Sequence, residues 1–283
     1  MIPIAIGLSL VAAVFHGTWN VLVKVSADPI ATFRRTTIVA AFVATIGLAP
    51  MWFVLGRPSM TPQASGLCLL SATLETAYLW LLSAAYRRGD LSAVYPIARG
   101  SAPLLSVFVG LTLLGETLTT PQRIGVAMLL IGILAVTLSQ ASGRATVPAL
   151  MTGIAIASYT SIDRVGVRLA TPWFYAWLLF TLMALELQAS LWLAGALRLY
   201  RLPATGGPTW GQALPTGAFM WAGYVLVLVA LSIAPLAVVA PVREISVVAV
   251  AVWGVWRLHE RRRSGLKLSG AAATLAGLAL LAA

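Results

Sequence analysis

The sequence predicts an all-α membrane protein of ten transmembrane helices, built as two inverted five-helix repeats. Three observations point there. Apolar residues make up 60% of the chain and charged residues 10%, whereas soluble domains carry about 25% charged residues. The apolar residues fall in continuous runs of roughly 20, the length that crosses a bilayer as a helix. They do not alternate, as the strands of a membrane barrel do. Finally, the chain matches itself at an offset of 144 residues, which sets Arg99 on Arg243 and Glu116 on Glu260.

Backbone amides in lipid must be satisfied within their own segment, so each run is expected as a helix. The first covers 3–23, carries His16, Trp19 and Asn20, and closes at Lys24. It lacks a basic stretch before it and a small-residue cleavage site after it, so it does not read as a secretory signal. The second, 36–55, closes at Arg57-Pro58. The third, 67–86, holds Glu75 near its middle and stops at Arg87-Arg88-Gly89-Asp90. The fourth, 91–114, carries Arg99 between Pro96 and Pro103. The fifth, 121–140, opens on Thr119-Thr120-Pro121-Gln122: a threonine cap, a proline in the first turn and a glutamine at the capping-box position.

The second half repeats the plan. The sixth run, 147–169, begins around Pro148 and carries Tyr159, Asp163 and Arg164. The seventh, 172–195, opens on Pro172 and contains Glu186, and the eighth, 212–233, contains Trp221. The ninth, 236–256, carries Pro241, Arg243 and Glu244 and closes at Arg257. The tenth, 265–283, follows Arg261-Arg262-Arg263. The repeats are expected at 1–143 and 144–283.

A net charge of +11 raises nucleic acid as a partner, but no basic stripe with interleaved aromatics is present. The cations instead collect in alternate connections. Lys24, Arg34, Arg35, Arg87, Arg88, Arg144, Arg198, Arg201, Arg257, Arg261, Arg262, Arg263 and Lys267 follow odd-numbered spans, against Arg57, Arg123, Arg164 and Arg168 on the other side. The positive-inside bias then places the odd connections in the cytoplasm and both termini outside. Cys68 is the single cysteine and sits in an apolar run, so it fits no disulfide and no metal spacing. No cofactor is implied.

The offset aligns more than the arginines. Arg123 falls on Lys267, Lys24 on Arg168, Phe15 on Tyr159, and Ala93-Val94 on Ala237-Val238. Each half has an odd number of spans, so the second must enter the membrane inverted. Inverted repeats are a recurring plan of secondary transporters, with the site near the midplane between the halves. Pro96 and Pro103 are expected to loosen the fourth helix where the halves meet.

The stretches "HGTWNVLVK" (16–24), "AAYRRGDLSAVYPIARGSAPLLSVFVGLTLLGETLTTPQRIGVAMLLIGI" (84–133) and, more weakly, "APLAVVAPVREISVVAVAVWGVWRLHE" (234–260) resemble the drug/metabolite transporter superfamily in its ten-helix, EamA-type form. The resemblance covers essentially the whole chain. It implies a multi-pass protein of the inner (plasma) membrane, moving small metabolites, amino acids, drugs or sugar conjugates. It also implies a central cavity lined by helices 1, 3, 4, 6, 8 and 9. The sequence departs from the family pattern at "RRRSGLKLSG" (261–270), where a glutamate-then-proline loop is more usual.

An ionisable group inside a span costs several kcal/mol unless paired or hydrated, so each is a functional candidate. Ten residues are expected to bind substrate: His16, Trp19, Asn20, Glu75, Tyr78, Arg99, Tyr159, Asp163, Trp221 and Arg243. Arg99 and Arg243 suit a carboxylate or phosphate, which a guanidinium grips through two bonds; the structural alternative ties each to an acid such as Glu75 or Glu244. Glu75 suits a coupling proton, or else a salt bridge to Arg99. His16 with Asn20, and Tyr159 with Asp163, are four apart and share helix faces; the alternatives are an interhelical hydrogen bond for His16 and a local pair of Asp163 with Arg164. Trp19, Trp80 and Trp221 lie deep enough to stack on substrate, while Trp52, Trp173, Trp192, Trp210 and Trp256 sit near span ends as interfacial anchors do. Gly125 and Gly132, and Gly270 and Gly277, are spaced seven apart, which suits close helix approach, joining helices 5 and 10 or forming a homodimer.

The expected function is secondary active transport of a small polar metabolite, an amino acid or another carboxylate- or phosphate-bearing compound, by alternating access with a coupling proton. A flippase for a lipid-linked substrate and a drug or organic-cation exporter are the alternatives. A membrane enzyme and an ion channel find no motif in the chain.

Overall fold

The computed structural model describes residues 1–24, 26, 28–88, 91–140, 146–200, 207–246, 248 and 264–282. These residues form ten helices: α1 (Ile2–Lys24), α2 (Pro29–Leu55), α3 (Pro62–Arg88), α4 (Leu91–Thr112), α5 (Thr120–Gln140), α6 (Thr146–Gly166), α7 (Pro172–Ala196), α8 (Trp210–Ile233), α9 (Leu236–Arg243) and α10 (Ser264–Ala282). Six of them, α1, α2, α3, α5, α7 and α8, are long and apolar enough to cross a membrane, and α4 and α10 carry shorter apolar stretches at Ile97–Thr112 and Leu268–Leu281. Large apolar side chains such as Phe42, Ile46, Phe53, Trp192 and Leu275 stand exposed on the outside, as a lipid-facing surface requires. The chain is an all-α, multi-pass membrane protein.

The packing obeys a two-fold exchange. Replace α1 by α6, α2 by α7, α3 by α8, α4 by α9 and α5 by α10, and most contacts among α1–α4 and α6–α9 map onto one another. Helix α1 packs on α8 as α6 packs on α3; α2 packs on α8 as α7 packs on α3; α4 packs on α6 as α9 packs on α1. The pairs α2–α7, α4–α9 and α5–α10 meet across the exchange. Helices α1 and α6, and α5 and α10, begin 144 residues apart. The junction expected at 143/144 lies outside the described residues.

Helix edges differ from the expected spans where charges were read as ends. Helix α2 starts at Pro29, not 36, because Asp28 caps it by accepting from the Ala31 N–H at 2.9 Å. Arg34 and Arg35 then ride on its first turns, bonded to Gln188 and to the Pro208 carbonyl. Helix α3 similarly runs from Pro62 through Arg87 and Arg88. Helix α4 continues through Pro96 and Pro103 without a break, so the loosening expected there is not seen in its secondary structure. Helix α9 stops at Arg243, where the Glu244 N–H bonds back to the Pro241 carbonyl. The rest of the expected ninth span, 247 and 249–256, lies outside the described residues.

Helices α5 and α10 touch backbone to backbone. A Cβ at Gly277 would fall 2.5 Å from the Gly125 carbonyl oxygen, and one at Gly270 would fall 2.8 Å from the Gly132 carbonyl. Both glycine faces are therefore spent on each other within one chain. Gly277→Leu should force the helices apart and destabilise the protein by about 1–3 kcal/mol, seen as a lower melting temperature in detergent. Gly66→Ala, with nothing within 4 Å of the added carbon, should not lower it, since Ala is the better helix former.

Candidate functional site

Six of the ten residues expected from the sequence line one central cavity. His16 and Trp19 come from α1, Glu75 and Tyr78 from α3, Arg99 from α4 and Tyr159 from α6; Phe180 of α7 and Met220 and Tyr224 of α8 complete it. The cavity is contracted. About 10 Å³ is open to the centre of a water-sized sphere, room for roughly one water. Its wall is a chain of rings set edge to face: Tyr78 on Tyr159 at 5.8 Å, Tyr159 on Tyr224 at 6.0 Å and Phe180 on Tyr224 at 6.2 Å between centroids. His16 stands 6.2 Å from both Trp19 and Tyr224.

Behind this wall the two repeat-related arginines share one carboxylate. Glu244 accepts from Arg99 at 3.0 and 3.3 Å and from Arg243 at 3.0 Å. All three side chains are at most 3% exposed. Arg243 also reaches the Thr160 hydroxyl at 3.5 Å. Glu75 is therefore not the partner of Arg99. The carboxylate that serves it comes from α9, brought across by the contact of α4 with α9.

Glu75 is 5% exposed, and its Oε1 has no hydrogen-bond partner among the described residues. Neither does the Trp19 indole N–H. Asp163 sits deeper, fully buried, accepting from Tyr175 at 2.9 Å and from the Tyr224 hydroxyl. Tyr224, which holds Asp163, shares the cavity lining with Glu75. Asp163 does not pair with Arg164, its neighbour in sequence. Arg164 pairs with Glu116 instead, while Asp163 turns to Tyr175 and Tyr224.

Other expectations are corrected likewise. His16 makes its hydrogen bond within α1, Nδ1 to the Ala12 carbonyl at 2.8 Å, and not between helices. Asn20 ties α1 to α3 by accepting from the Tyr86 hydroxyl at 3.1 Å and does not line the cavity. Trp221 lies against Gly47 of α2, and Trp80 donates to Ser190 while packing on Tyr200; neither lines the cavity. Glu186 accepts from Thr73 on α3, as an interhelical partner would. Arg243 and Asp163 act on the cavity from behind, through Glu244 and Tyr224. Helix α9 does not reach the lining, and α7 does so through Phe180.

One end of the site is sealed. Helix α4 ends at Thr112, and Gly115, at φ 63°, turns the chain back. Glu116 then lies over Gly110, where a Cβ would fall 2.7 Å from its Oε2. From there Glu116 caps α9, accepting from the N–H groups of Leu236 at 2.7 Å and Ala237 at 2.9 Å, and pairs with Arg164 at 2.9 Å. Arg164 in turn donates to the Leu231 carbonyl of α8. Beside this seal the loops before α3 and α7 pair through an antiparallel bridge at Met60 and Ala170, with Thr61 N–H to Leu169 O at 3.2 Å and Thr171 N–H to Ser59 O at 2.8 Å. Outside it lies a groove of about 530 Å³, lined by Glu116, Arg164, Arg168, Leu169 and Pro235 among others.

The fold and this cavity define a multi-pass membrane protein with an enclosed polar site between repeat-related halves. Residues 3–138 match the model of the EamA-like transporter family. A relative from Methanocaldococcus jannaschii, "Uncharacterized protein MJ1333.1", is 30% identical over 138 residues, 48% of this chain and 97% of that protein. The "Uncharacterized transporter in cobO 3'region" of Sinorhizobium sp is 31% identical over 132 residues, 44% of this chain and 91% of that protein. Both relatives are thus about half as long as this chain. One crystal structure superposes with a TM-score of 0.70 at 16% identity, covering 98% of this chain and 95% of that one, which shows a shared fold. The chain belongs to the EamA-like transporter family and is a membrane transporter.

Loss of the shared carboxylate should cost more than loss of either arginine. Glu244→Gln leaves two buried guanidiniums without an anion and should destabilise by about 3–5 kcal/mol. Arg99→Met leaves Glu244 on Arg243 and should cost less. Thermal unfolding of the purified variants in detergent checks the order.

Proposed function

We propose that the protein is a secondary active transporter of a small polar metabolite, an amino acid or a related carboxylate- or phosphate-bearing compound, working by alternating access in the inner (plasma) membrane. The observation that carries this reading is the enclosed cavity between the halves, lined by titratable and aromatic side chains from five helices of the bundle core and by Phe180 of α7. Transporters with inverted repeats hold substrate at such a place. The guanidinium of Arg99 is on the lining and suits a carboxylate. Glu75, whose Oε1 is buried without a hydrogen-bond partner among the described residues, is the residue proposed to carry a coupling proton.

In this reading the structure is a contracted state, closed at the Glu116 end. Opening that end requires Glu116 to release Arg164 and the first amides of α9, after which the halves rock apart there and close at the opposite end. The binding groups need not move relative to their own helices.

Counterflow in proteoliposomes tests this. With unlabelled amino acid inside, labelled amino acid outside should accumulate transiently above its equilibrium level. Flux that ignores substrate on the far side would point to a channel and overturn the proposal. Glu116→Ala should lower exchange at least about tenfold, since a few hydrogen bonds to a charged group, each worth about 1.5–3 kcal/mol, hold the closed end. Exchange at the wild-type rate would remove the seal from the transport cycle.

A further inference from the structure

Among the described residues the charges around the cavity do not balance. Counted as ionised, Glu75, Asp163 and Glu244 supply three negative charges and Arg99 and Arg243 two positive ones, with His16 on the lining counted as neutral. Contacts join these groups: Glu75 and Arg99 share the cavity lining, Glu244 links Arg99 to Arg243, and Tyr224 on the lining holds Asp163. Glu244 is spent on the two arginines, and Asp163 is held by two tyrosine hydroxyls. The shortfall of one positive charge therefore falls on Glu75, whose Oε1 is buried and has no hydrogen-bond partner among the described residues.

What stands around Glu75 selects the kind of cation. Trp19, Tyr78, Tyr159, Phe180 and Tyr224 share the lining with it. Aromatic faces around a carboxylate are the environment that takes an ammonium group, through the negative faces of the rings as well as the ion pair. A phosphate or an isolated carboxylate would meet the opposite situation. It would find a carboxylate with one oxygen unpartnered among the described residues, and the guanidinium on the lining, Arg99, already bound by Glu244 at 3.0 and 3.3 Å. The second unpartnered group on the lining, the Trp19 N–H, needs an acceptor. A ligand with an ammonium group and an oxygen acceptor a few bonds away satisfies both orphans together.

We infer that Glu75 is the specificity-determining residue of the central site, binding the ammonium group of the substrate within the ring of Trp19, Tyr78, Tyr159, Phe180 and Tyr224. This rests on the transporter reading and narrows it: amino acids and amines are substrates, and compounds bearing only carboxylate or phosphate are not. Trp19 takes the oxygen acceptor, which places amino acids above simple amines.

Two matched sets of probes test this on the full-length protein in detergent: alanine, ethylamine and propionate; phenylalanine, phenethylamine and 3-phenylpropionate. A ligand that binds the folded state raises its melting temperature, and at a hundredfold excess over the dissociation constant the rise should be about 5 °C. The amino acid and the amine of at least one set should raise it and the acid should not. Glu75→Gln, which keeps the side-chain volume, should lose the amine response, and Trp19→Phe should lose the advantage of the amino acid over the amine. Amine binding that survives in Glu75→Gln overturns the inference. A shift, or proteoliposome exchange, with the acids and not the amines also overturns it but leaves the transporter reading standing. Silence from all six compounds, in wild-type melting and in exchange, overturns the inference and the small-metabolite reading together.

Discussion

Two guanidiniums cannot be buried side by side in a membrane protein without an anion between them, and much of the central architecture follows from how that demand is met. Arg99 and Arg243 occupy equivalent positions in the two halves, so the exchange that relates the halves brings them together where α4 crosses α9. Their like charges would drive the helices apart at a cost of several kcal/mol in a medium that screens poorly. Glu244 reverses the sign of that contact. It fixes the crossing of α4 and α9 and holds Arg99 at the edge of the cavity. It also leaves the remaining carboxyls, Glu75 and Asp163, to be satisfied by something else. For Asp163 that is a pair of tyrosines; for Glu75 one oxygen finds no partner among the described residues.

The sealed end applies the same economy to a helix terminus. The first amides of α9 have no partners within the helix, and a carboxylate there answers both their hydrogen-bonding need and the positive end of the helix dipole. Glu116 does this from the other half of the chain, and it can do so because Gly110 has no side chain in its way. One side chain thus joins the turn after α4 to α6, α8 and α9, with Arg164 as intermediary. Such a joint is strong while dry, yet it consists of a few polar bonds that water can replace.

The parts of the molecule that follow from composition and periodicity were legible in the sequence: the helices, their number and the repeat. The offset that aligned Arg99 with Arg243 also marked the helices that meet at the centre, which is why His16, Trp19, Glu75, Tyr78, Arg99 and Tyr159 fall on one cavity. Pairing was less legible. Nothing in the spacing says that Arg99 meets a glutamate 145 residues away rather than Glu75, or that Arg164 turns from Asp163 to Glu116, because a one-dimensional pattern gives faces and not the rotation of one helix against another. The same ignorance of rotation placed Trp221 and Asn20 in the cavity and missed Phe180, Met220 and Tyr224. Tyr224 did leave a sign, a hydroxyl in the middle of an apolar run, four residues after Met220. Helix ends were misjudged where Arg34, Arg35 and Arg88 extend helices beyond the apolar core, since long cationic side chains can reach polar surroundings from inside a helix.

Glu244 has no counterpart. The matching position in the first half is Gly100, where even a Cβ would overlap Thr137. If both halves carried the same groups, the two inward- and outward-facing arrangements of an inverted repeat would be mirror states of equal energy, and the empty protein would divide its time evenly between them. Glu244 opposite Gly100, Glu75 opposite Phe219 and Asp163 opposite Trp19 each break that equivalence. Under the alternating-access proposal, the resting bias of the molecule is then written in such one-sided groups, Glu244 among them, before any solute or gradient acts.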